Sequence, residues 1–191
     1  MTTRLAKDFR SFADLAAAYA RDKDYRIVLL ARPASGTAII APHGGSIEAH
    51  TSDIAREIAG TEFSLYLFEG LLKAGNFMAL HLASHLFDEQ ACIELAAASD
   101  RVVTVHGCSR DGERVLLGGR DRVLRGAIAA RLQAAGVACE DAPSGLDAAD
   151  PANICNRGRS GAGVQLEISL ALRQSRRRSV LTRAVRDALL T

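Results

Sequence analysis

The sequence predicts an α/β domain of three layers, α/β/α, with helices on both faces of a mixed sheet. Short β-branched apolar runs alternate with stretches of helical spacing along the whole chain. The connections are short, and no internal repeat, low-complexity segment or linker interrupts them. Three of the strand ends carry a histidine or glutamate, and open α/β sheets hold their ligands at such ends. At 191 residues the chain suffices for one domain, residues 1–191, with a full hydrophobic core.

Taken in order, Phe9 to Arg21 is expected to open the chain as a short alanine-rich helix. Tyr25 to Ala31 reads as a strand, which Pro33-Ala34-Ser35-Gly36 turns into a second strand, Thr37 to Ala41, stopping at Pro42. Ile47, Ile54, Ala55 and Ile58 have helical spacing, so a helix is predicted from Ser46 to Ile58, with Gly60 closing it. Phe63 to Phe68 alternates as a strand, Gly70 to Asn76 bends back, and Phe77 to Leu82 reads as the next strand. Asp88 is expected to cap a helix ending at Ala98. Arg101 to Val105, Glu113 to Leu117 and Val137 to Cys139 read as strands, and Asp121 to Ala135 as a helix stopped by Gly136. A polar loop from Asp141 to Gly163 leads to the last strand, Val164 to Ile168, and a terminal helix from Ser175 to Leu190.

Composition narrows the function. Hydrophobic residues at 48% and charged ones at 24% describe a folded, water-facing chain rather than a disordered one. A net charge of +2 argues against nucleic acid as the main partner. The four cysteines are scattered with no CxxC pair, which excludes a zinc ribbon and suits free thiols. Lys7, Asp8 and Asp14 break up the N-terminal region, so no signal peptide is expected. No apolar run approaches the ~18 residues of a membrane span. A cytoplasmic location and no membrane partner are the expectation, and composition says nothing of oligomeric state.

The chemistry is expected at the strand ends. His43 follows the strand Thr37 to Ala41, and after two glycines Glu48 stands at the expected start of a helix. His106-Gly107 follows the strand Arg101 to Val105 in the same way, and Glu167 lies near the end of the last strand. Two histidines and one carboxylate, with a fourth position for water, form the ligand set of a hydrolytic zinc. Glu167 is then left as the base that takes a proton from that water. Each residue has an ordinary alternative. A histidine after a strand is commonly a turn or core residue, and Glu167 shares a strand face with Gln165 as a solvent-facing residue also does.

The segments APHGGSIE, LHLASHLFDE, VVTVHGC and NICNRGRSGAGVQLEIS resemble the phage-type poly-γ-glutamate hydrolases, whose fold is similar to that of zinc carboxypeptidases. The resemblance runs from about Arg26 to Arg173, with the four motifs in the family's order. It implies a zinc-dependent hydrolase that cleaves the γ-glutamyl amide of poly-γ-glutamate. By motif, His43, Glu48 and His106 match the metal ligands and Glu167 matches the catalytic glutamate. Asn156 and Arg157 resemble a pair that binds substrate carboxylate. Leu86 departs from the pattern, standing where much of the family has a basic residue.

For such a polyanionic substrate, Arg157 and Arg159 in their glycine-rich loop are expected to clasp carboxylates. His81 and His85 either orient the ligands, stand by the leaving group or satisfy strand-end carbonyls; His85 is counted with the substrate-binding residues. Two other readings stay open: a zinc deacylase of small acylated amino acids or γ-glutamyl peptides, and a non-catalytic domain that holds a polyanion. If the chain is phage-derived, lysis would bring it to a polymer outside the cell.

Overall fold

The computed structural model describes residues 5–191, with Lys7 described through its backbone alone. After a single 3-10 turn at Ala6–Asp8, Ser11 caps α1 (Phe12–Ala18) by accepting the backbone N–H of Asp14. β1 (Tyr25–Leu30) follows, then β2 (Thr37–Gly45), α2 (Thr51–Ala59), β3 (Ser64–Gly70), α3 (Asn76–Leu80) and α4 (Gln90–Ala97). β4 (Arg101–Cys108), β5 (Arg114–Gly118), α5 (Arg122–Ala134), β6 (Ala138–Asp141), β7 (Val164–Ser169), α6 (Leu170–Gln174) and α7 (Arg178–Leu189) complete the chain.

The seven strands form one mixed sheet in the order β1-β3-β2-β4-β7-β5-β6. The central run β3-β2-β4-β7 is parallel, while β1 and β5 pair antiparallel with β3 and β7. Successive residues of a strand point to opposite faces, and β2 shows it: Ile39 joins the core beneath α2, α5 and α7, whereas Ile40 joins the core beneath α1, α3 and α4. Two apolar layers on two faces of one sheet make the three-layer arrangement that the alternating pattern predicts. No helix among the described residues is long and apolar enough to cross a membrane.

Five departures from the sequence reading bear on the site. β2 does not stop at Pro42 but runs on through His43-Gly44-Gly45. Its register with β3 shifts between Ala41 and Gly44, and Pro42, which has no N–H to pair, sits in that irregular step. Gly44 is required there, because a Cβ would lie 2.2 Å from Ser52 Oγ. Glu48 is not in a helix: its N–H donates to His43 O at 3.0 Å in a turn that precedes α2.

Phe77 to Leu82, expected as a strand, is instead occupied by α3. Both edges of β3 are already filled by β1 and β2, so no place beside it remains. Gly75 at φ 73° and the Asn76 amide, bonded to both the N–H and the carbonyl of Leu72, turn the chain into a helix. Asp88 accepts the N–H of Phe12, and the cap of α4 is Glu89, which accepts Cys92 N–H at 2.9 Å. A short helix that the sequence reading did not include, α6, follows β7 directly; the extended backbone of Ser175 separates it from α7, which lies within the expected terminal helix.

Candidate metal centre

β2 and β4 are parallel neighbours, and β2 leads to β3 on its other side, so the chain reverses direction across the sheet at their carboxyl ends. A crevice opens at such a point. His43 leaves the end of β2, His106 the end of β4, and Glu48 the turn that Gly44 and Gly45 fold back toward them. Their ligand atoms all lie within 4.8 Å of one another, and all three residues are buried.

His43 Nδ1 is 3.1 Å from His106 Nδ1 and 3.4 Å from Glu48 Oε1, and His106 Nδ1 is 3.9 Å from Glu48 Oε2. The surroundings orient each group. His43 Nε2 lies 2.7 Å from the carbonyl of Leu82, an acceptor only, so Nε2 carries the proton and Nδ1 faces the cluster. Glu48 Oε2 accepts the N–H of Gly107 at 2.8 Å, and Glu48 Oε1 lies 3.1 Å from His81 Nε2. The His81 ring stacks on His43 with centroids 3.8 Å apart.

Electrostatics agree with a cation site. Burial alone would raise the Glu48 carboxyl, but the charge and hydrogen bonds of His43 and a hydrogen bond from His81 outweigh it, and its pKa is lowered. Burial and the neighbouring His43 push His106 down to about 3, and the same two causes lower His81. His106 is thus an unprotonated imidazole, the form that binds metal. Two imidazole nitrogens and an ionised carboxylate converging on one point make a donor set that fits a divalent transition metal such as zinc.

Glu167 stands beside the cluster. It is the cross-strand partner of His106 between β4 and β7 and is 5% exposed. Burial, then the charge of Glu48, raises its pKa to about 8, while Gln165 Nε2 donates to its Oε1 at 3.0 Å. Gln165 is held in turn, its Oε1 accepting Asn153 Nδ2 at 3.1 Å.

These groups line a cleft of about 760 Å³, a size common for small-molecule sites. His85 also lines it and is exposed. Asn156, Arg157 and Arg159 are not brought there. Asn156 Oδ1 accepts the N–H groups of Arg120 and Gly163, and its Nδ2 donates to the carbonyls of Ala148 and Asp150. Its hydrogen-bonding capacity is therefore used on backbone, which pins the cleft wall from behind. Arg157 is exposed, and Arg159 pairs with Asp100 at 3.0 Å beside the start of β4, the opposite end of that strand from His106.

The arginine in the cleft is Arg173, on α6 just past β7. Its Nε donates to Ile168 O at 3.0 Å and its Nη1 to Ala49 O, while Nη2 has no partner among the described residues. Gly107 makes room for it: a Cβ there would lie 2.5 Å from the guanidinium carbon. Arg173, Asn153, Asp147 and Asp150 were not singled out by the sequence reading. The one signal available for Arg173 was its place shortly after the last strand.

Known proteins offer three kinds of comparison. A family model described as poly-gamma-glutamate hydrolase matches residues 9–186. Among curated proteins of Bacillus subtilis (strain 168), UPF0714 protein YndL is 36% identical over 156 residues, which is 80% of this chain and 60% of YndL. The SPbeta prophage-derived UPF0714 protein YoqZ is 38% identical over 138 residues, 71% of this chain and 50% of that one. The matches thus span about half to three-fifths of those relatives. A bacteriophage poly-gamma-glutamate hydrolase superposes with a TM-score of 0.89 at 32% identity, covering 94% of this chain and 95% of the other. Zinc-free YndL also gives 0.89, at 30% identity over 96% and 97%. An N-formylglutamate amidohydrolase from Ralstonia eutropha JMP134 shares the fold alone, with a TM-score of 0.55 at 12% identity over 87% of this chain and 96% of that one.

Proposed function

We propose, for a chain that belongs to the poly-gamma-glutamate hydrolase family, a zinc-dependent hydrolase cleaving the γ-glutamyl amide bonds of poly-γ-glutamate. The observation that carries the reading is the convergence of His43, Glu48 and His106 on one point, with Glu167 beside it at the head of an open cleft. Two structural neighbours, a bacteriophage poly-gamma-glutamate hydrolase and YndL in a zinc-free form, support the same substrate and metal.

His43 and His106, which turn Nδ1 toward one another, and the Glu48 carboxylate would hold a zinc. Bound there, it would supply a Lewis acid that acidifies water and polarises an amide carbonyl. Leu82 and His81 keep the ligands turned inward, and the N–H of Gly107 fixes the second Glu48 oxygen. Glu167 accepts the proton of the attacking water as its oxygen bonds to the carbonyl carbon, then returns that proton to the amine nitrogen as the C–N bond breaks. Burial beside Glu48 and the hydrogen bond from Gln165 fix the carboxyl where it can hold that proton between the two steps. Arg173, which lines the cleft, takes the carboxylate-binding role expected of Arg157 and Arg159.

Incubating the purified protein with poly-γ-glutamate and sizing the product tests this. Shortening that stops with a chelator and returns with added zinc is expected; an undiminished polymer refutes the reading. Turnover of a γ-glutamyl dipeptide in parallel separates a polymer hydrolase from a deacylase of small substrates. Tight polymer binding without zinc or cleavage would identify a binding domain.

A further inference from the structure

Resting on the poly-γ-glutamate reading, we infer that the groove between Arg10 and α3 seats the glutamyl unit adjoining the one at the metal centre, and so favours longer chains. This second cavity, about 420 Å³, is lined by Phe9, Arg10, Met78 and Leu86 and shares Phe77, His81, Ala83 and His85 with the metal cleft. The two are therefore continuous. A ladder of rings marks the passage: His81 stacks on His43 at 3.8 Å, and Phe77 packs on His81 at 4.4 Å.

The groove matches the repeat of the polymer. Within the chain each unit offers two methylenes and a free α-carboxylate. Phe77 and Met78 give an apolar wall that is half exposed, 52% and 54%, and available for methylenes. Arg10 supplies the charge. Its backbone N–H is held by Asp14 Oδ2 at 2.9 Å, and its guanidinium has no ion pair among the described residues. The metal cleft carries Asp147 and Asp150 on its lining, whereas no carboxylate among the described residues lines the groove. A polyanion leaving the metal centre is repelled on the one side and attracted on the other.

The test is kcat/KM for γ-linked glutamate oligomers from dimer to hexamer, with Arg10→Ala, Arg10→Lys and Met78→Asp beside the wild-type protein. Wild-type kcat/KM rises with length. Arg10→Ala lowers the hexamer-to-dimer ratio about ten-fold, the scale of one charge-assisted contact. Arg10→Lys restores part of it, and Met78→Asp lowers it by placing a like charge on the wall. Both positions are exposed, so the variants are expected to fold.

Ratios unchanged in Arg10→Ala and Met78→Asp overturn the inference while the metal-centre reading stands. A wild-type protein that cleaves no oligomer of any length refutes both. If the groove instead seats a second copy of the chain, sedimentation shows a concentration-dependent dimer that Met78→Asp abolishes with the ratio unchanged; that also overturns it.

Discussion

In the cleft, His43, Glu48 and His106 turn their polar atoms toward one another, and the backbone serves only to aim them. In the loop that begins at Asn156 the traffic runs the other way: each polar atom of Asn156 goes to backbone, and Arg159 closes an exposed ion pair with Asp100. Both regions are polar, rich in glycine and carry basic side chains, so as strings of letters they look equally suited to chemistry. The difference teaches where to look. A buried polar group with its donors and acceptors satisfied by backbone is scaffold, whereas converging groups of complementary chemistry in a cleft leave work for a ligand.

The contrast is most easily broken at a ligand. His43→Ala is expected to lower bound zinc from one per chain to none and hydrolysis to background, measured by metal analysis beside polymer sizing. Glu167→Gln should keep the zinc and lower the rate about 10²–10⁴-fold, the usual worth of a general base. Normal turnover in that variant would remove Glu167 from the mechanism.

The metal-free protein offers a sharper probe of the same carboxyl. Its folded pKa, about 8, lies above the ordinary carboxylate value, so between the two the native state binds the extra proton. The Glu167 contribution to stability is therefore complete below the ordinary carboxylate range and lost as pH rises to about 8. The difference in chelator-treated melting between wild type and Glu167→Gln should show that slope, on the order of a few kcal/mol. No pH-dependent difference would mean that Glu167 is not buried beside Glu48 as described.

Across the comparison, Asn156→Ala should leave zinc bound and lower stability by about 1–3 kcal/mol, because four backbone groups lose their partner. Denaturant unfolding measures it. The smallest effect belongs to Arg157→Ala and Arg159→Ala, with stability changed by about 0.5 kcal/mol or less and polymer turnover kept. A large loss of turnover in either would place the loop in the substrate path after all.

How far the residues could be read in advance follows the same physics. The alternation of apolar runs named the strands well, since β-branched periodicity is local, and Arg101 to Val105 and Val164 to Ile168 fall within β4 and β7. Phe77 to Leu82 misled because a short apolar run suits strand and helix alike, and only the filled edges of β3 decide between them. The position of Glu167 near the end of the last strand was legible in the residues, and pairing with His106 puts it in the cleft. Gln165 was visible only as its neighbour on the same strand face, and Arg173 carried no more than its position after a strand.

Apart from α3 and α6, the order of strands and helices follows from the letters and their local spacing, as do the absence of a membrane-spanning helix among the described residues and the identities of the metal-competent side chains. Which of those side chains meet was decided by the sheet. Parallel pairing of β2, β4 and β7 brings His43, His106 and Glu167 together across more than a hundred residues of chain, while the loop holding Arg157 and Arg159 turns to the other end of β4. Local sequence sets conformation residue by residue, but proximity between distant residues exists only once non-local strand pairing has formed, and catalysis depends on that proximity.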